Sequence, residues 1–305
     1  MSTVLEMLST PLFQRALLAA LVVGISAPVV GTFLVQRRLS LLGDGIGHVA
    51  LTGVALGWLV GAATGAARAD AYAIPGAVLA SIAGAVVIEA VRARGRTSGD
   101  LALALLFYGG IAGGVVLIGL AGGTNANLMS YLFGSLATVS SADLVATLVM
   151  SGVILAVGVG LRSALFAVSQ DEEFARSTGL PVTVLNIAVA VVAALTVTVS
   201  MRVVGLLLVS ALMIVPVAAS QLVARSFRQT MTIAMVIGGL ACVGGLLVTF
   251  TVDLAPGALI VVIAIAIYAG TAALRPLWHR AARPASTSEE ARADATDDPA
   301  THRAR

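Results

Sequence analysis

The chain has 305 residues, 59% of them hydrophobic and only 11% charged, with a mean hydropathy of +1.02 and a formal net charge of +3. Soluble domains are nearer half apolar and a quarter charged, so this composition excludes an ordinary soluble protein and indicates one that crosses a membrane repeatedly. All eighteen basic residues are arginine, and without a lysine the chain cannot carry a P-loop, whose lysine reaches the nucleotide phosphates.

The N-terminal MSTVLEMLSTPLFQ lacks a basic n-region and a cleavage signature, so no signal peptide is expected. Nine apolar runs follow, at roughly 12–36, 40–63, 72–91, 101–121, 141–161, 183–200, 203–224, 230–250 and 256–274. A membrane span needs about 20 apolar residues, and backbone in lipid must satisfy its own hydrogen bonds, which favours helices. Alternating strand patterns are absent. The expected fold is therefore an all-α polytopic membrane helical bundle of about nine transmembrane helices.

Fifteen of the eighteen arginines fall in alternate connections or in the C-terminal tail, leaving Arg15, Arg68 and Arg202 on or towards the other side. Basic residues concentrate in cytoplasmic loops, which places the N-terminus outside and the C-terminus inside. The segment NANLMSYLFGSLAT, 125–138, and the stretch 197–203 suit short re-entrant or interfacial elements. Gly43/Gly47, Gly53/Gly57, Gly109/Gly113 and Gly110/Gly114 have the spacing that lets helices approach closely. Arg202 and Asp253, near the outer ends of their runs, read as solvated or headgroup-facing charges in preference to an outer gate or a contact for an external binding protein. The lone Cys242 and the methionines Met201 and Met213 read as core packing. Residues 1–283 form one transmembrane domain, and 284–305, rich in Ala, Thr, Pro and charge, a disordered cytoplasmic tail.

Within the second run lies LGDGIGHVALTGVALG, residues 42–57. Asp44 and His48 stand there among Gly, Leu, Ile, Val, Ala and Thr, and His48 is the only histidine within the bundle. On a helix these positions share one face, about 6 Å apart. A charge at membrane depth is costly and normally faces a bundle interior or a wet cavity. From spacing alone three readings stand: a structural hydrogen-bonded pair, a transition-metal site built from carboxylate and imidazole, and a proton relay. The metal reading has a particular logic, because a site with few ligands lets an ion leave as well as enter. The three glycines around Asp44 make a straight helix there doubtful, and with it any depth counted along the helix.

Between the fifth and sixth runs, SALFAVSQDEEFARSTGLPV is too polar to span. Ser169 and Glu172 have the spacing of a capping box, and Asp171, Glu172 and Glu173 favour a helix N-terminus. Gly179 is placed to stop the helix, and Pro181 prevents its continuation. A short cytoplasmic helix over about 170–178 is expected, with Phe174 and Ala175 as its apolar contacts. It is either a connector or a coupling helix for a separate ATPase.

These blocks together resemble the membrane permease subunit of the zinc/manganese class of ABC importers, the ZnuB type. The resemblance runs over about residues 12–275 and rests on five segments. They are RRLSLLGDGIGHVALTGVALG at 37–57, NLMSYLFGSL at 127–136, the pattern from Ser169 to Gly179, MRVVGLLLVSALMIVPVAAS at 201–220, and DLAPGALIVV at 253–262. It implies a multi-pass protein of the cell membrane, a non-enzymatic permease that forms a homodimer around a translocation path. Its implied partners are a cytosolic ATP-binding subunit, an extracytoplasmic metal-binding protein and membrane lipid, and no nucleic acid. Asp44 and His48 map onto the family's path-lining, metal-contacting residues, while Ser169, Asp171, Glu172, Phe174, Ala175 and Gly179 map onto the ATPase-coupling segment. No permanently bound cofactor is implied, only the transported ion. After the histidine, manganese-type members often carry a proline where this chain has Thr52, so the resemblance favours zinc, with manganese or iron import by the same mechanism as the alternative. An ion-coupled secondary carrier would show several buried carboxylates and inverted repeats, and the chain has one buried Asp and no clear repeat. The HExxH signature of a metalloprotease is absent.

Overall fold

The structure, a computed structural model, describes residues 10–65, 71–94, 99–122, 129, 131–134, 140–201, 204–252 and 254–281. The apolar runs become helices α1 (Pro11–Gln36), α2 (Leu42–Ala63), α3 (Ala73–Arg94), α4 (Gly99–Leu120) and α5 (Ser141–Gly160). Two short helices follow, α6 (Arg162–Gln170) and α7 (Glu172–Ser177). The chain continues through α8 (Val182–Met201), α9 (Leu206–Gln221), α10 (Phe227–Thr251) and α11 (Pro256–Ala281). No strand occurs among the described residues. Asp253, the residue 202–203 pair and the tail from 282 lie outside the described residues, so the readings placed on them are not addressed by the fold.

Among the described residues, eight helices are long and apolar enough to cross a membrane. The one expected span not among them, the seventh run at 203–224, contains only the 16-residue α9. At 1.5 Å per residue this is about 24 Å, short of a hydrocarbon core of about 30 Å. The cause is visible at Gly205. Its φ of +92° breaks the helical path, and an added Cβ would sit 2.4–2.5 Å from backbone of Leu132, Phe133 and Gly134. Of the segment 125–138, residues 132–134 are thus packed against the start of α9, while 125–128, 130 and 135–138 lie outside the described residues. The segment's Tyr131 is buried edge-on against Trp58 of α2, ring centroids 5.6 Å apart.

Helices α1, α2 and α8 form the centre: 72%, 61% and 67% of their most apolar windows are buried, against 17% for α4 and 22% for α5 and α11. The outer helices turn Leu105, Tyr108, Val116 and Leu120 of α4 outwards, as a lipid-facing surface requires. Helix α2 packs against both α3 and α4. Its contact with α3 is backbone to backbone: a Cβ on Gly53 would come within 2.3 Å of the Gly76 carbonyl oxygen. Of the four expected small-residue pairs, Gly43/Gly47, Gly53/Gly57 and Gly110/Gly114 meet neighbouring helices, whereas Gly109 of the fourth pair faces open space.

Helix α1 ends without a glycine. Arg38 takes the left-handed position with φ +57°. Its N–H donates to Val35 O and that of Leu39 to Leu34 O, the paired bonds of a Schellman motif. The turn then closes through Leu42 N–H to Leu39 O and Gly45 N–H to Leu41 O. Chain reversal between α1 and α2 is therefore hydrogen-bonded on both sides of Ser40.

Candidate functional site

Asp44 is the third residue of α2, in its first turn. Despite Gly43, Gly45 and Gly47, the helix runs unbroken from Leu42 to Ala63, so the doubt about a straight helix is resolved. The glycines serve close packing instead. A Cβ on Gly43 would lie 2.4 Å from the Met213 methyl of α9, one on Gly45 2.6 Å from Leu103 of α4, and one on Gly47 2.9 Å from Leu206. Small residues let α4 and α9 close around the turn that carries Asp44. Met213 and Met201 are fully buried, and Cys242 is buried; their side chains pack in the core.

Asp44 is half-buried, and its Oδ1 accepts a hydrogen bond from Ser210 Oγ of α9 at 2.5 Å. His48, one turn along, is 6% exposed. Its ring stands edge-on to Phe107 of α4, centroids 4.5 Å apart, and its Nδ1 is buried with no hydrogen-bond partner. The two side chains do not bond each other, which removes the simplest structural reading of the pair. A buried imidazole nitrogen without a partner is costly and is chemically suited to a cation. Among the described residues no group of three or more His, Cys, Asp and Glu could hold a metal ion, so one chain offers one carboxylate and one imidazole.

Helix α4 fixes the height of His48. A Cβ on Gly110 would lie 2.6 Å from the His48 carbonyl carbon, and Thr52 Oγ1 donates to Gly110 O at 2.8 Å. Ser210 is the residue that motif reasoning missed. It lies 166 positions from Asp44, inside a segment quoted only for its resemblance, and nothing local marks it among the other serines.

The second candidate region also differs from expectation in its details. Ser169 does not cap the helix: it lies in the last turn of α6, and its Oγ donates to Leu165 O at 2.6 Å. The N-cap is Asp171, extended at φ −153°, whose Oδ1 accepts from the N–H groups of Glu173 and Phe174, each at 2.9 Å. A carboxylate accepting two N–H groups at a helix start outcompetes a serine two residues upstream. Gly179, φ +84°, ends α7 as expected, with Gly179 N–H on Arg176 O and Leu180 N–H on Ala175 O. Phe174 is 63% exposed, whereas Ala175 is fully buried within the chain, so only Phe174 of the two is available to another protein. Glu172 Oε1 accepts from Arg37 Nη2 at 2.6 Å and from Asn186 Nδ2 at 3.1 Å. The α1–α2 turn and α7 therefore lie at the same end of the bundle. Arg38 and Arg92 line one cavity there with Leu41 and Leu103.

Residues 9–275 match the family described as the ABC 3 transport family. The chain is 31% identical over 264 residues to the manganese transport system membrane protein MntC of Halalkalibacterium halodurans, covering 87% of each. It is 32% identical over 262 residues to the chelated iron transport system membrane protein YfeD of Yersinia pestis, covering 86% of this chain and 85% of that one. Among solved structures it is similar to PsaBC from Streptococcus pneumoniae in complex with Fab, with a TM-score of 0.78, 29% identity, and coverage of 88% of this chain and 94% of the other. The match takes in the Asp44–His48 helix, Ser210 and α7 alike, and the protein is a member of the ABC 3 transport family, a multi-pass membrane permease whose ATPase is a separate subunit.

Proposed function

We propose that the chain is the membrane subunit of an ATP-driven importer of a divalent transition metal, manganese first and iron second. The observation that carries this is the buried, unpartnered Nδ1 of His48 one helical turn from the Asp44 carboxylate. An oxygen and a nitrogen donor suit manganese, ferrous iron and zinc alike, and the order of preference comes from the relatives above, which are named for manganese and chelated iron. Zinc, favoured by the sequence because Thr52 stands where manganese-type members often have proline, loses its support. Thr52 Oγ1 donates to Gly110 O and ties α2 to α4, a packing role that says nothing about the ion.

Two ligands from one chain make an open site. Two copies facing each other bring two carboxylates and two imidazoles, a set that holds an ion briefly and releases it. The homodimer, the N-outside orientation, delivery by an extracytoplasmic metal-binding protein and docking of the ATPase on α7 through Phe174 complete the proposal. Basic residues gathered at the α7 end support the orientation.

The test is metal accumulation in cells lacking their own manganese, iron and zinc importers, complemented with the whole transporter. Manganese should accumulate, and His48→Ala or Asp44→Ala should reduce it about tenfold or more, the order seen when a metal site loses a directing group. Zinc accumulation alone would reverse the metal. Undiminished uptake in both variants would remove the pair from the path.

A further inference from the structure

We infer that Arg37 and Asn186 are positioning residues that, with Glu172, form a latch passing movement of α7 to the Asp44 turn. The inference rests on the reading of α7 as the ATPase-docking helix. Glu172 is the first residue of α7, two positions from the exposed Phe174, and its side chain is 42% exposed. Arg37, which caps α1, is only 6% exposed in its side chain. The buried cation thus depends on a surface carboxylate carried by the element that a partner would grip. A guanidinium has five N–H donors, and a buried charge deprived of its partner is strongly disfavoured. Displacing α7 must either drag Arg37 along or leave it to find another acceptor.

Both outcomes have a structural basis. The α1–α2 turn is stiff: Arg38 holds its left-handed conformation, and bonds from Arg38, Leu39, Leu42 and Gly45 close the reversal. Displacement of Arg37 is therefore transmitted to Asp44, in the first turn of the next helix, rather than absorbed by a flexible loop. The alternative acceptor is Asn186 on α8. Its Nδ2 shares the Glu172 oxygen with Arg37, while its Oδ1 is buried without a partner. A vacant amide oxygen beside a buried guanidinium supplies the second arrangement that a two-state element needs. In one state Glu172 holds Arg37. In the other Asn186 Oδ1 receives it, and the Asp44 turn shifts with it.

The experiment uses the complete transporter, with its ATPase and binding protein, reconstituted in proteoliposomes. ATP hydrolysis and manganese uptake are measured together. Glu172→Gln should lower the number of ions moved per ATP hydrolysed about tenfold, a typical inter-site coupling. The swapped pair Arg37→Glu with Glu172→Arg should restore much of that ratio. An unchanged ratio in Glu172→Gln, or hydrolysis and uptake falling in equal proportion with no recovery in the swap, would overturn the latch. Should those variants not assemble, Arg37→Cys/Glu172→Cys joined by a reducible bifunctional thiol reagent gives an independent reading. Cross-linking should stop uptake and reduction restore it, because a latch must open, whereas uptake by the cross-linked protein would refute it. If wild type shows no ATP-dependent uptake of any metal, the importer reading fails rather than the latch.

Discussion

Ser210→Ala tests whether the site depends on a residue outside its own helix. The Ser210 hydroxyl is 7% exposed at residue level and donates to Asp44 Oδ1 at 2.5 Å. A hydrogen bond to a charged group contributes about 1.5–3 kcal/mol. Asp44 is half-buried, so water can replace part of the lost bond, and the lower end applies. About 1.4 kcal/mol is a factor of ten, so the KM for manganese uptake should rise about tenfold. The maximal rate should change little, because on the proposed reading the hydroxyl only orients the Asp44 carboxylate and does not move with the ion. The assay is initial-rate uptake by the reconstituted transporter over a range of manganese concentrations, for wild type, Ser210→Ala, Asp44→Ala and the double variant. If Ser210 acts through Asp44, the double variant is no worse than Asp44→Ala alone. An unaltered KM in Ser210→Ala, or full additivity in the double variant, would refute the reasoning.

Helix packing at His48 gives a matched pair of variants. Gly110→Val places a Cβ 2.6 Å from the His48 carbonyl carbon, while Gly109→Val meets nothing within 4 Å; the first should cost about 1–3 kcal/mol through overpacking and the second almost nothing, read by thermal unfolding in detergent. Phe174→Ala removes a side chain that is 63% exposed, so stability should stay within about 0.5 kcal/mol while affinity for the ATPase subunit falls about tenfold or more, as for an aromatic anchor, measured by binding of the purified subunits. Asp171→Ala removes the acceptor for the N–H groups of Glu173 and Phe174. It should destabilise α7 by about 1 kcal/mol, seen as faster hydrogen exchange over residues 172–177 than in wild type.

Local chemistry carried a large part of this protein. Apolar runs of span length read directly as α1–α5, α8, α10 and α11, because helical backbone satisfied within one segment is the solution lipid allows. Asp44 and His48 were legible as a pair because i and i+4 share a helix face, and Gly179 as a stop because its left-handed φ of +84° favours glycine. Boundaries set by competition were less legible. Asp171 and Ser169 are both acceptable caps in a sequence, and only the extended conformation of Asp171 decides between them. α6 was hidden in an apparent connector, where Leu165 and Val168 gain their helical meaning from the surface that buries them. The seventh run lost its length at Gly205 because backbone of Leu132, Phe133 and Gly134, far away in sequence, presses on it. What tertiary structure alone decided are the partnerships across the chain: Ser210 on Asp44 over 166 positions and Arg37 on Glu172 over 135. Periodicity and capping act within a few residues, whereas these bonds exist because packed helices bring together side chains whose sequence neighbours give no sign of one another.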